Sequence, residues 1–283
     1  WMREFIDEPK EQEDESASDH SEKTKNTTFQ LGNPNEGKHI EIEFDKKKYA
    51  RVPIRTKRFA KGDEYPQKIA EHVSQSINAL ALKPSPFNPF PKERHWYVIV
   101  SEKIVAISQG RSYFIWEIYP SWWANTLSSF VRRTPYGIGL GSPWTMQIAI
   151  DEVGLSRILV ASFVSILTKP FGLRGMFYRI AGPQASGIDG PTEYSLYPSN
   201  VSAKLAPKDP QNASEQIRDA IRKAISATQF ANQFGGAVII DANDLGRNVL
   251  GNATEKTDSF FEKVMRDNPM GQGSEQTPVV LVV

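Results

Sequence analysis

Three short polar signatures crowd the last hundred residues: Gly187-Ile188-Asp189-Gly190, Asp241-Ala242-Asn243-Asp244-Leu245-Gly246-Arg247, and Met270-Gly271-Gln272-Gly273 running to Pro278. Each sets an acid or amide beside glycine, which suits a backbone that bends close to a ligand. Carboxylate and amide oxygens are the donors that hard cations such as Mg²⁺ or Mn²⁺ require, and such cations commonly arrive with phosphates. Taken singly, Asp189, Asp209 and Asp241 read more readily as turn and capping residues, since aspartate beside glycine or proline is common there. An ordered set points instead to one dispersed site.

Composition narrows the surroundings of such a site. The 283 residues carry a formal net charge of +1, with 39% hydrophobic and 11% aromatic content. That is enough apolar material for a sizeable core. So small a charge gives no footprint for nucleic acid or anionic membrane, and neither is expected as a partner. Cysteine is absent, which removes disulfides, thiolate metal sites and a cysteine nucleophile. The cytoplasm is the expected compartment. His20, His39, His72 and His95 lack the spacing of a zinc site and are expected to be structural or surface residues. The apolar run at 158–167 is too short to span a bilayer, and no signal peptide is visible.

The chain divides into an arm at 1–38 and a domain at 39–283. Residues 7–37 are rich in Glu, Lys, Ser, Asn and Thr without apolar periodicity, which predicts disorder. Alternation at Ile40, Ile42 and Phe44 predicts a strand, pairing with a second at 49–56. A helix to about residue 82 should bury Ile69, Val73, Ile77 and Leu80, and end at the prolines of 83–91. Residues 96–107 read as a buried central strand, 155–168 as a buried helix and 176–180 as a strand. The aromatic run at 113–123 favours core packing, with a partner surface as the alternative. Ser142 and Pro143 form a helix start over 144–153; the preceding glycines could cradle phosphate, but a plain helix start is favoured. Asn212 and Glu215 suggest a capping box for a helix at 212–228. A strand at 237–240 should deliver Asp241 at its carboxyl end, a helix is expected at 259–266, and a strand at 279–283 closes the chain. The fold class is α+β, with α/β-like mixed sheets and flanking helices.

From about residue 50 onward the chain resembles the coenzyme F-420 gamma-glutamyl ligase family. Val52-Pro53-Ile54-Arg55 is similar to an early strand that lies against the nucleotide. Ser101-Glu102-Lys103, followed by Gln109-Gly110-Arg111, resembles a strand ending in lysine and an acid-glycine-arginine turn. Ser186-Gly187-Ile188-Asp189 matches the segment whose aspartate holds metal, and Thr192 stands where an asparagine meets nucleotide. Leu205-Ala206-Pro207-Lys208-Asp209-Pro210 is similar to the lead into a family helix. Asn243, Asp244 and Leu245 precede Gly246-Arg247, so the family's metal carboxylate is displaced by one position. Gly271-Gln272 and Pro278-Val279 resemble the closing motif. Two features depart from the family: Ile107 occupies the place of a second lysine, and only residues 248–269 fill what is there a long glycine-rich segment.

The resemblance implies a gamma-glutamyl ligase-like fold and a GTP- or ATP-dependent carboxylate–amine ligase that uses Mg²⁺ or Mn²⁺. The nucleotide would phosphorylate a substrate carboxylate, and the acyl phosphate would accept an amine such as that of glutamate. It implies Lys103 and Asp189 as catalytic residues and Asp189, Asn243, Asp244 and Gln272 as metal ligands. Pro53, Arg55, Lys103, Arg111, Thr192, Gly271 and Gln272 would meet the nucleotide, and the protein would be a homodimer. A catalytically inactive nucleotide-binding or structural dimeric relative is the alternative.

Overall fold

The computed structural model describes residues 39–81, 94–131, 139–173, 175–190, 201–242, 246–271 and 275–283. The expected disordered arm, the proline-rich stretch, Thr192, Asn243, Asp244 and Gln272 lie outside the described residues. The chain opens with a hairpin of β1 (Glu41–Phe44) and β2 (Lys47–Ile54). Asp45 and Lys46 both take positive φ, the conformation a two-residue hairpin turn needs to match strand twist. Helix α1 (Tyr65–Ala81), strand β3 (Trp96–Ser101) and helix α2 (Glu102–Ser108) follow. Then come β4 (Ser112–Phe114), α3 (Trp122–Ser129), α4 (Pro143–Val153), α5 (Leu155–Thr168), α6 (Met176–Ala181) and α7 (Pro183–Ser186). The last third runs β5 (Ser202–Lys204), α8 (Pro210–Ile225), β6 (Phe234–Ala242), β7 (Arg247–Ala253), α9 (Asp258–Val264) and β8 (Val279–Val282).

A six-stranded mixed sheet, ordered β1-β2-β8-β3-β6-β7, organises the α+β fold, and β4 pairs separately with β5. Among the described residues only the β3–β6 pair is parallel; β8 runs antiparallel to both β2 and β3. The strand period of two divides the core between the faces. Val98, Val100, Ala237, Ile239 and Leu281 meet α1 and α8 on one side, through Ile69, Val73, Ile217 and Ile221. Tyr97, Ile99, Val238, Ile240 and Val280 meet Phe261 and Val264 of α9 on the other. A further core joins α3–α7 to the small sheet through Met146, Ala149, Ile158, Ala161, Ala181 and Ala203.

Several expectations need correction. The central strand stops at Ser101, and 102–108 form a helix rather than more strand. An unbroken apolar run fits either state when read by periodicity alone. The expected strand at 176–180 is α6, bracketed by Gly175 and Gly182 at positive φ. The cap of α8 is Asp209, whose side chain accepts from the Asn212 amide at 3.3 Å, with Pro210 in the first turn. Proline there lacks only an amide proton that would have no helical partner, so the helix begins before the proposed capping box. The Ser142 cap is as expected: its hydroxyl accepts from the Thr145 amide at 3.2 Å. Two burial expectations fail. Trp116, Tyr119, Trp122 and Trp123 are exposed, and α5 buries only Ile158 and Ala161.

Candidate functional site

Strand directions decide where the polar signatures fall. Because β8 is antiparallel to β2 and β3, and β3 is parallel to β6, strands β2, β3 and β6 all end at the same sheet edge. Arg55 follows β2, Glu102 and Lys103 follow β3, and Asp241 lies near the end of β6. The chain entering β8 and the start of β7 share that edge, since Val279 pairs with Val100 and Arg247 with Ala242. Backbone bonds stitch it together. The Ser101 amide donates to Pro278 at 2.9 Å and the Thr56 amide to Gln276 at 2.9 Å. Carboxyl ends of parallel strands are where open α/β sheets commonly bind ligands.

Asp189 arrives from outside the sheet. It forms an isolated antiparallel bridge with Lys204, the last residue of β5, and each backbone amide donates to the other's carbonyl at 2.9 Å. Glu102, Lys103, Asp189, Lys204 and Asp241 then act on one another electrostatically. Burial pushes Glu102 up to about 8; Asp241 and Asp189 add to the rise, and Lys103 and Lys204 oppose it. Burial lowers Lys204 to about 8, helped by Lys103 and resisted by Asp189 and Glu102. Asp241 is raised by burial and by Asp189, against Lys103. Burial thus shifts Glu102, Lys204 and Asp241, and the charges of Lys103 and Asp189 act on all three.

Lys204 is the sharpest feature of that space. The residue is 6% exposed, and its buried Nζ has no hydrogen-bond partner among the described residues. A buried ammonium without a partner is costly, and an anion is what would relieve it. Neither Glu102 nor Lys204 was a sequence candidate. Glu102 is visible inside Ser101-Glu102-Lys103, but a strand reading turns it away from its neighbour. Lys204 has only one signal, a single cation in the otherwise apolar and small run 201–207.

The other candidates distribute differently. Pro53 is buried in β2 opposite Val280, and Arg55 is exposed at the strand end. Arg111 is engaged elsewhere: its guanidinium pairs with Glu152 at 2.7 Å and donates to the Ala206 carbonyl. Gly271 bridges Thr277, whose hydroxyl accepts from the Gly271 amide at 2.8 Å, which fixes the turn into β8. Among the described residues no group of three or more His, Asp or Glu side chains has metal-holding geometry. Oxygen ligands from Asp189 and Asp241 would therefore need completion by Asn243, Asp244 or Gln272. A separate cavity of about 460 Å³, lined by Phe44, Gly246, Arg247, Glu262, Lys263 and Arg266 among others, contains none of the five clustered side chains. Compared with protein-family models and with curated proteins, the chain finds no match.

Proposed function

We propose that the chain is a nucleotide- and divalent-metal-dependent carboxylate–amine ligase of the gamma-glutamyl ligase type, using GTP or ATP. The observation that carries this reading is the buried, unpartnered Lys204 Nζ among Lys103, Glu102, Asp189 and Asp241, beside the carboxyl edge of the β3–β6 pair. Two ammoniums among carboxylates are a fitting receptor for a polyphosphate that carries its own cation.

Asp189 and Asp241, with Asn243, Asp244 and Gln272, would hold Mg²⁺ or Mn²⁺. The ion would polarise the phosphates and offset their charge. Lys103 and Lys204 orient the transferred phosphoryl group and balance the charge that develops on it. Glu102, raised to about 8, holds its own proton at neutral pH; once ionised, as pH rises through about 8, its carboxylate accepts the proton that an attacking ammonium must shed before it meets the acyl phosphate. The small-molecule substrates are a carboxylate and an amine, glutamate being one amine that fits. Ile107 in place of the family's second lysine favours the rival reading, a nucleotide-binding relative without turnover.

Thermal unfolding with GTP or ATP, each with Mn²⁺ or Mg²⁺, tests the binding. A ligand at about a hundred times its Kd stabilises the native state by about 2.7 kcal/mol. No stabilisation by any pair removes the proposal. Stabilisation without phosphate release, across a panel of carboxylates and amines, selects the inactive relative.

A further inference from the structure

Helix α5 meets its neighbours with one narrow side. Ile158 and Ala161 are buried, whereas Val160, Phe163, Ile166 and Leu167 are 53% to 68% exposed. The last three stand at i, i+3 and i+4, so they form one stripe. The chain then enters a 3-10 turn, Lys169–Phe171, where Phe171 is 83% exposed, and Leu173 follows at 55%. Apolar residues scattered singly over a surface need no explanation, but a helical stripe followed in sequence by exposed Phe171 and Leu173 marks a docking face.

Charge says what docks there. From Leu155 to Ile188 the sequence contains no Asp or Glu, and it carries Arg157, Lys169, Arg174 and Arg179. Lys169 and Arg179 are exposed. We infer that this face rests on an anionic lipid surface. Phe163, Ile166, Leu167 and Phe171 enter the interface, and Lys169 and Arg179 meet headgroup phosphates. An apolar stripe flanked by cations is the pattern of helices that lie in the plane of a membrane interface. No helix among the described residues is long and apolar enough to cross a membrane. A second copy of the chain fits less well, because a two-fold contact would set these cations against their own copies with no carboxylate in the segment to balance them. The inference does not rest on the ligase reading.

Flotation of the full chain with vesicles tests it. One set is phosphatidylcholine alone, the other phosphatidylcholine with an equal part of phosphatidylglycerol. The chain is expected to float with the second set at low salt, to float poorly with the first, and to be released at about 1 M salt, where the screening length is about 3 Å. Phe163→Asp with Phe171→Asp should abolish flotation. Lys169→Glu with Arg179→Glu should weaken it about 25-fold, at about fivefold per cation lost. Thermal melting checks that each variant folds, and the lysine–arginine pair carries the test if the aspartate pair does not. Absence of flotation with phosphatidylglycerol vesicles, or flotation unchanged in a folded variant, overturns the inference. A concentration-dependent dimer that Phe163→Asp with Phe171→Asp dissolves, without vesicle binding, assigns the face to a second copy instead.

Discussion

Asp189 and Lys204 bridge the two halves of the candidate site through their backbones, exchanging amide–carbonyl bonds of 2.9 Å in both directions. Directly opposed residues of an antiparallel pair project to the same face, so the bridge places both side chains on one side of it, the Asp189 carboxylate exposed and the Lys204 ammonium buried. Lys204 responds, since Asp189 resists the fall that burial and Lys103 impose on it. The turn at Gly187–Gly190 therefore does more than present an acid; it also helps keep a buried lysine charged.

Asp189→Asn keeps the size of the side chain and the backbone bridge while removing the charge. Metal-dependent stabilisation by GTP or ATP is expected to fall at least about tenfold in apparent affinity, equivalent to about 1.4 kcal/mol. Unfolding of the ligand-free protein should change by less than about 1 kcal/mol, because Asp189 is exposed and its backbone bonds persist. Unchanged nucleotide affinity would place the metal elsewhere.

Asn243→Asp restores the acid found in the resembling family, directly before Asp244. If the displaced carboxylate already serves the cation, a second acid adds repulsion, and Mn²⁺ affinity should not improve. Titration calorimetry in the presence of nucleotide measures this. A clear gain in affinity, or the appearance of nucleotide hydrolysis, would mark the protein as a ligase that has lost its activity.

Glu102 makes stability depend on pH in a defined direction. Its folded value of about 8 lies above the ordinary carboxylate value, so the folded chain holds a proton that the unfolded chain has released. The contribution is fully present below about pH 4.3 and is lost as pH rises through about 8. Lys204, lowered to about 8, acts oppositely and only at higher pH: its cost is relieved as pH climbs from about 8 towards 10.4. Glu102→Gln should therefore flatten the decline between about pH 5 and 8, by at most about 1.4 kcal/mol per pH unit. Urea unfolding of both proteins in chelator checks it. Parallel pH profiles would mean that Glu102 is not buried among these charges.

How far the sequence could be read depends on what each segment asks of it. β3 was legible because its six residues are all buried, and the Ser142-Pro143 start of α4 because capping is local chemistry. The end of β3 was not, since the apolar residues after it serve a short helix as well as a strand. Exposure on α5 was hidden because its composition suits a buried helix equally, and the difference lies in what packs beside it. The near-zero net charge hid the cationic span 155–188 by averaging it with acidic segments elsewhere. In the site, Lys103, Asp189 and Asp241 stand in recognisable motifs. Lys204 belongs to none, and only the pairing of β5 with β4 and with Asp189 brings it to the cluster.

Arg51 and Asp267 supply a stability test independent of any ligand. The Arg51 side chain is fully buried in β2, and its guanidinium grips Asp267 with both terminal nitrogens, one contact being 3.0 Å. It also donates to the Val264 carbonyl at 3.1 Å and to the His39 carbonyl. One side chain thus ties β2 to the end of α9 and to the segment before β1. Burial works against the Asp267 carboxylate, but the Arg51 hydrogen bond and charge prevail and hold it below its ordinary value. Its stabilisation is present above the unfolded value of about 3.9 and is lost as pH falls through the depressed folded value. Arg51→Met leaves two carbonyls and a carboxylate without their donor, so a loss of about 3 kcal/mol is expected at neutral pH. Arg51→Lys keeps the charge but not the planar fork, and should recover only part of it. Urea midpoints for the three proteins decide the matter. A loss below about 1 kcal/mol in Arg51→Met would show that the pair merely offsets its own desolvation. A full recovery in Arg51→Lys would show that charge alone, rather than the forked geometry, joins α9 to the sheet.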